Sequence, residues 1–293
     1  MSTSVIAQVT FKYYQLTNFI FNWVLYGFLC SQSLEYFRAF PKDSTWNKIL
    51  VAYLLLLTTV QSALNMHDTF ITFGTHFGNV EELIDNNLAV FSSPILIVMA
   101  SCPVQIFYAR RMTLFSRSNY ICMIAIIVTI LALFSSAFSI VIGISLFQDQ
   151  PAPKLLRWEQ IWLGSSSACD TMMTLTMIVL LKKSSPNSKQ TKQVVSKVVR
   201  LLIESGFVTA AFSIADMGVL RAFPAYPYHT PICGNLGNLH FLTLLVVLNN
   251  RSYLTKFTNS QESLSVVQST LRFAHPDEST NIHTQSLKIY VSV

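Results

Sequence analysis

Three acidic residues lie inside long apolar stretches of this sequence and are its first candidates for chemistry: Asp170, Glu204 and Asp216. An isolated charge at the centre of a bilayer costs about 2.5–3.5 kcal/mol even on permissive scales, so such an acid normally faces the interior of a helix bundle. Glu204 and Asp216 are twelve residues apart, which separates them by about 18 Å along a helix and about 120° around it. The two acids therefore do not form a paired acid–base site.

Arg200 precedes Glu204 by four residues, a spacing that places both side chains on nearly the same helix face. We predict a structural ion pair between them at the cytoplasmic end of their helix. Asp170 and Asp216 then remain as candidate cavity or translocation residues. Polar residues predicted near the outer end of the bundle extend this set: His67, Asp68, Asn235, Asn238 and His240. The alternative is that these side chains only form interhelical hydrogen bonds, worth about 1 kcal/mol or less each.

The elements that must position these residues are apolar helices. The chain has 293 residues, of which 52% are hydrophobic and 12% charged, and a helix needs about 20 apolar residues to cross a bilayer. Apolar runs separated by turn-forming segments predict spans near residues 17–37, 47–69, 88–108, 120–146, 160–181, 198–220 and 234–253. The predicted fold class is therefore all-α, a polytopic membrane protein with seven transmembrane helices.

The distribution of basic residues predicts the orientation of the bundle. Sixteen of the 20 Lys and Arg residues lie in or beside the first, third and fifth connections, or after the last span. The positive-inside rule places these segments in the cytoplasm, with the N-terminus outside and the C-terminus cytoplasmic. Residues 1–254 are predicted to form the bundle, and residues 255–293 a disordered, Ser/Thr-rich cytoplasmic tail.

Missing motifs argue against several functional classes. The seventh span has no Lys for a retinal Schiff base, and no HExxH motif, P-loop or nucleophile elbow occurs. The five cysteines have no metal-like spacing and the six histidines are scattered. The basic residues do not form a face with interleaved aromatic residues. We therefore expect no enzyme activity, no metal, no cofactor and no nucleic-acid partner.

Several short segments resemble a known family. They include Ala168 and Asp170 at the fifth span, the tripeptide Glu204-Ser205-Gly206, Asp216, and a closing "NNR" at 249–251. These features, over residues 160–254, are similar to the C-terminal membrane domain of unknown function shared by mushroom-type fungal multi-pass proteins. The resemblance implies a seven-helix membrane protein and implies no particular activity.

The sequence leaves three functions open. We expect a receptor-like membrane protein whose outward-facing polar cavity binds an unknown small ligand. The alternatives are a transporter or proton-coupled carrier, in which the buried acids carry protons, and a non-catalytic membrane scaffold. Membrane lipid is an expected partner, and the basic stretch from Lys182 to Arg200 is expected to contact anionic lipid or an acidic cytosolic partner. The sequence does not distinguish the plasma membrane from internal membranes.

Overall fold

Long helices make up almost all of the described chain. The computed structural model describes residues 3–75, 88–115, 118–148, 152–183, 189–224 and 226–250. Its helices are α1 (Thr3–Ala39), α2 (Thr45–Phe70), α3 (Leu88–Phe115), α4 (Asn119–Phe147), α5 (Ala152–Lys183) and α6 (Lys189–Ala222). A short helix, Thr230–Cys233, leads into helical residues 236–250, and we call the whole stretch Thr230–Asn250 α7. No β-strand occurs within these ranges, which confirms an all-helical architecture for them. The predicted tail, residues 255–293, lies outside the described residues.

Five of the predicted spans are long and apolar enough to cross a membrane: Thr45–Thr75, Ser92–Leu114, Asn119–Leu146, Pro153–Leu180 and Thr230–Asn250. Each has at least 21 residues, as the hydrocarbon thickness requires. Large apolar side chains on the outside of these helices are exposed, such as Ile130 at 59% and Leu133 at 54%. Such an apolar surface is unfavourable in water and favourable in contact with lipid chains. The chain is therefore a membrane-embedded helical protein.

The predicted first and sixth spans also form helices. With 37 residues in α1 and 34 in α6, both are long enough to cross a bilayer. The described residues do not place them among the five apolar spans, and in α6 the side chains of residues 189–205 lie outside the described part of the chain.

The fifth connection is shorter than the sequence predicted. The predicted spans 160–181 and 198–220 leave residues 182–197 as the connection, whereas α5 continues to Lys183 and α6 begins at Lys189. Residues 189–200 contain neither Gly nor Pro, and Pro186 is the helix breaker between the two helices. The remaining connection, residues 184–188, lies outside the described residues.

The last helix, α7, is the central one of the bundle. Most of its residues are buried, and it runs parallel to α1. Asn235 Nδ2 donates a hydrogen bond to Asn18 Oδ1 at 2.8 Å, and fourteen residues further along both helices Asn249 Nδ2 donates to Gln32 Oε1 at 3.0 Å. Consecutive helices along the chain pack against each other, α3 with α4, α4 with α5, and α5 with α6. This arrangement places residues of α7 beside both α1 and α5.

The two ends of the bundle differ in their interior. We name them the Asp43 end, where α1 meets α2, and the His229 end, where α6 meets α7. A large apolar cluster fills the Asp43 half, with members such as Leu54, Val104, Met177 and Leu248. A smaller apolar cluster lies in the His229 half and contains Leu163, Leu220 and Leu236. Buried polar side chains lie between these clusters and towards the His229 end.

Candidate functional site

Asp170 is the centre of a hydrogen-bond network that joins four helices. Its Oδ1 accepts hydrogen bonds from Gln105 Nε2 of α3 at 3.2 Å, and its Oδ2 accepts one from Ser213 Oγ of α6 at 3.2 Å. His240 Nε2 of α7 also lies 3.2 Å from Oδ1. All four side chains are buried. The carboxyl group of α5 is therefore bonded to three other helices, and we call these four residues the Asp170 hub.

Both ring nitrogens of His240 have polar neighbours in the bundle interior. Nδ1 lies 2.8 Å from the Leu236 carbonyl oxygen of the same helix, and Nε2 lies 3.2 Å from Asp170 Oδ1. The ring therefore links the backbone of α7 to the carboxyl group of α5.

A second polar group joins α1, α2 and α7 nearer the His229 end. Besides the bond from Asn235 to Asn18, Gln61 Nε2 donates to the Gly234 carbonyl oxygen at 3.0 Å. In addition, Ser62 Oγ donates to Asn22 Oδ1 at 2.9 Å. These contacts arise because polar residues repeat at helical spacing on the facing sides of α1 and α2.

Several amide atoms beside this second group are buried and have no hydrogen-bond partner. They are Nδ2 of Asn22 and both side-chain polar atoms of Asn65 and Asn238. Asn65 follows Ser62 by one turn, and Asn238 follows Gly234 by one turn. A buried amide without a partner costs about 1–3 kcal/mol, so each of these side chains suits contact with water or a polar ligand. We call Asn22, Asn65 and Asn238, which lie on α1, α2 and α7, the amide site.

A third polar group lies where α6 meets α7 and contains three side chains of metal-ligand type. One ligand atom each from Asp216, His229 and Cys233 lies within 4.8 Å of the other two, and Asp216 Oδ1 is 4.0 Å from His229 Nδ1. Neither carboxylate oxygen of Asp216 has a hydrogen bond of ordinary geometry, although the weak thiol donor of Cys233 is beside it. Burial lowers the pKa of His229 to about 4, so its ring is neutral at pH 7 and has a free lone pair.

The sequence analysis missed this third group. His229 and Cys233 were treated as scattered residues, although they are four apart and therefore share one face of the turn that opens α7. That spacing was the available signal. Asp216 comes from the preceding helix, and only the fold of the α6–α7 connection places it beside them.

The remaining predicted site residues lie apart from the Asp170 hub. His67 and Asp68 contact each other on α2, with Nδ1 3.2 Å from Oδ1; the His67 side chain is 52% exposed and Asp68 is buried. Asn235 is part of the group around Asn18, and Asn238 is in the amide site. The side chains of Arg200 and Glu204 lie outside the part of the chain whose side chains are described, so their ion pair stays a prediction.

These features define a class of protein, a helical membrane protein with a polar interior between two apolar clusters. Residues 166–253, from α5 to the end of α7, match the profile of a family of unknown function (DUF6534). The match confirms the predicted similarity to a domain of unknown function; the fungal affiliation stays a prediction. No curated protein matches the chain. No solved structure matches it either.

Proposed function

We propose that this chain is a receptor-like membrane protein that binds a small polar ligand at the amide site. The observation that carries the proposal is the five amide atoms of Asn22, Asn65 and Asn238 that are buried without a partner. Such groups are normally paired in proteins with side chains, backbone or ordered water. A ligand with several hydrogen-bond donors and acceptors, such as a polyol or a small amide, would satisfy them.

The proposal includes seven spans, with the N-terminus outside. The lengths of α1 and α6 support seven, because each exceeds the length that a crossing needs. Polar side chains on these two helices, such as Asn22 and Asp216, are buried inside the bundle, so they do not oppose insertion. The asymmetry of Lys and Arg supports the orientation. The His229 end then faces outward, and the amide site lies in the outer half.

The Asp170 hub supplies a route from ligand binding to the cytoplasmic side. It ties α7, which contributes Asn238 to the amide site, to α3, α5 and α6. A ligand that shifts α7 would alter these bonds and change how the helices pack in the apolar Asp43 half. A ligand shifts such an equilibrium only by the difference between its affinities for the two arrangements.

A binding experiment with Asn238→Leu tests the proposal. Purified protein would be screened by thermal unfolding against a library of small polar metabolites. We expect at least one compound to raise the unfolding temperature of the parent protein and to have no effect on Asn238→Leu. Without ligand, the variant should be the more stable protein, because leucine removes two unpartnered buried atoms.

The matched control is Asn250→Leu, the same substitution at the other end of α7, where the amide donates to the Val246 carbonyl oxygen. It should keep the ligand response of the parent. Compounds that stabilise both leucine variants equally, or a complete absence of stabilising compounds, would refute ligand binding at the amide site and favour the scaffold.

The proton-coupled carrier is the second candidate, because Asp170 and His240, two side chains of proton-carrying types, are in contact at mid-depth in α5. A carrier must move a proton from this pair to both sides of the membrane. Reconstituted vesicles with a pH gradient distinguish the two functions. Proton flux in the parent that Asp170→Asn abolishes would establish a carrier, whereas a parent without flux is the receptor-like expectation.

A further inference from the structure

The three side chains at the α6–α7 junction form a site that nothing in the polar network uses. Asp216 lies in α6, His229 ends the 3-10 turn Pro227–His229, and Cys233 ends the short helix that opens α7. We propose that Asp216, His229 and Cys233 bind a divalent cation of the zinc class. This inference does not depend on the proposed ligand at the amide site, which involves other residues.

Burial without partners is the first argument for a cation. Both oxygens of Asp216 and Nδ1 of His229 are buried and lack hydrogen-bond partners, and Asp216 is 0% exposed. A buried carboxylate without a partner is strongly unfavourable, so such groups are paired or coordinate metal ions. Within the described residues, the groups that the structure places beside Asp216 are Glu159, Cys233 and, at 4.0 Å, His229, and no Lys or Arg is among them. A metal ion would satisfy all three atoms at once.

Charge balance is the second argument. A metal-bound cysteine is a thiolate, the aspartate is an anion and the histidine is neutral. Together these ligands carry two negative charges, which a divalent ion cancels. The resulting centre is neutral, and a neutral centre is compatible with the low dielectric of the bundle interior.

The types and spacing of the donor atoms favour zinc over magnesium or calcium. Magnesium and calcium prefer oxygen ligands, whereas a mixture of sulfur, nitrogen and oxygen suits zinc. Zinc binds its ligands at about 2.0–2.3 Å, so donor atoms in a tetrahedral site are about 3.3–3.8 Å apart. For an oxygen and a nitrogen ligand the separation is about 3.3–3.4 Å. The observed 4.0 Å between Asp216 Oδ1 and His229 Nδ1 is longer, and the three ligand atoms lie within 4.8 Å of one another. Side-chain rotations that bring the three atoms closer together would complete the geometry.

Three protein ligands leave one tetrahedral position for a fourth group. Glu159 of α5 interacts electrostatically with both Asp216 and Cys233. As a direct ligand it would add a third negative charge, so we assign the fourth position to a water molecule, which the Glu159 carboxylate is placed to hold. A bound metal would fasten α5 and α6 to the start of α7 at the His229 end.

Cobalt binding to the full-length protein in detergent micelles tests the site, since Co²⁺ substitutes for zinc and reports thiolate ligation through a charge-transfer absorption band. We expect about one Co²⁺ per chain, with that band, and its displacement by Zn²⁺. Cys233→Ser should abolish the band. Each ligand variant should weaken binding by more than about 100-fold, because even outer-shell changes cost about 10–100-fold.

Cys122→Ser is the matched control, because Cys122 is an exposed cysteine of α4 and this change should leave the band and the affinity unaltered. His229→Ala provides a second ligand variant at a partly exposed turn if Cys233→Ser does not fold. Zinc should also raise the unfolding temperature of the parent and of Cys122→Ser, and of neither ligand variant. A parent without the thiolate band, or a band that survives in the ligand variants, would overturn the proposal.

Discussion

At the scale of single residues, the Asp170–His240 pair shows how this bundle accommodates an acid. Asp170 would be costly as an isolated charge at mid-depth, but it accepts hydrogen bonds from Gln105 and Ser213, and its Oδ1 lies 3.2 Å from His240 Nε2. Hydrogen bonds that involve a charged group are roughly twice as strong as neutral ones. These bonds therefore stabilise the contacts of α5 with α3, α6 and α7.

Replacing Asp170 should destabilise the protein in a graded way. Asp170→Leu leaves Gln105, Ser213 and His240 without their acceptor, so we expect a loss of about 3 kcal/mol or more in unfolding free energy. Asp170→Asn retains one acceptor oxygen and should cost only about 1–2 kcal/mol. Unfolding in micelles, followed by helical circular dichroism, measures both losses.

Thr129→Val is the control for these variants, because the Thr129 hydroxyl donates within its own helix to the Ala125 carbonyl oxygen. It should change the unfolding free energy by less than about 0.5 kcal/mol. If Asp170→Leu were as stable as the parent protein, the network would not contribute to stability and the hub would lose its structural role.

At the scale of elements, the start of α7 depends on a close approach to α1. Gly234 lies against the side chain of Asn18, and a Cβ at this position would overlap the amide group. The same glycine offers its carbonyl oxygen to Gln61. A small residue is therefore needed where α1, α2 and α7 meet, as is common at helix contacts in membranes.

Gly234→Ala should push Asn18 away and break its hydrogen bond with Asn235. We expect a destabilisation of about 1–3 kcal/mol, the usual cost of inserting a methyl group into a packed interior. Gly218→Ala is the matched control, because a Cβ at Gly218 of α6 would meet nothing within 4 Å. That control should be neutral or stabilising, since alanine favours the helix by about 1 kcal/mol. Equal effects of the two substitutions on the unfolding temperature would contradict the close contact.

At the scale of the whole molecule, aromatic residues lie at both ends of the bundle. Tyr228 contacts the rings of Tyr14 and Phe223 near the His229 end, and Trp46 and Tyr120 are exposed near the Asp43 end. Aromatic side chains are enriched at the two membrane–water interfaces. This distribution is the one expected of a bundle whose axis crosses the membrane, and the Lys and Arg distribution predicts that the Asp43 end is cytoplasmic.

Glycosylation mapping tests this topology. An acceptor sequon introduced into the second connection, residues 76–87, should be glycosylated in cells, because the positive-inside rule places this segment outside. One introduced at residues 184–188 should stay unmodified, as should the natural sequon Asn250-Arg251-Ser252. The reverse pattern would invert the orientation, and modification at both introduced sites would contradict an odd number of crossings between them.

The basic stretch from Lys182 to Arg200 should bind anionic lipid. It contains six Lys and Arg residues, and each contributes about 1 kcal/mol of attraction near an anionic membrane surface. A peptide of residues 182–200 should bind vesicles with phosphatidylserine more tightly than neutral vesicles, less so at high salt. A peptide with glutamine at Lys189, Lys192 and Lys197 should lose most of that preference. Equal binding of the parent peptide to both vesicles would leave the basic residues with a role in topology alone.

The sequence by itself determined the membrane class and the helices. Crossing a bilayer requires about 20 consecutive apolar residues, a property that is local in the chain and can be read without the fold. The five apolar spans were predicted for this reason. Helices α1 and α6 were predicted too, but their predicted starts, near residues 17 and 198, lie after the observed starts at Thr3 and Lys189. The sequence also identified Asp170, Asp216, Asn238 and His240 as unusual, because polar residues in apolar runs stand out.

The tertiary structure alone decided which of these residues meet. Gln105 is 65 residues from Asp170 and His240 is 70, and their contact depends on how each helix is rotated about its axis. Rotation is set by the packing of apolar and small residues over the whole bundle, which no short sequence window contains. Asp216 likewise meets His229 and Cys233 only because the α6–α7 connection folds back. The sequence named Asp170, Asp216, Asn238 and His240, whereas Gln105, Ser213, His229 and Cys233 were recognised only from the structure. Three-dimensional packing placed these polar residues in the Asp170 hub, the amide site and the candidate metal site.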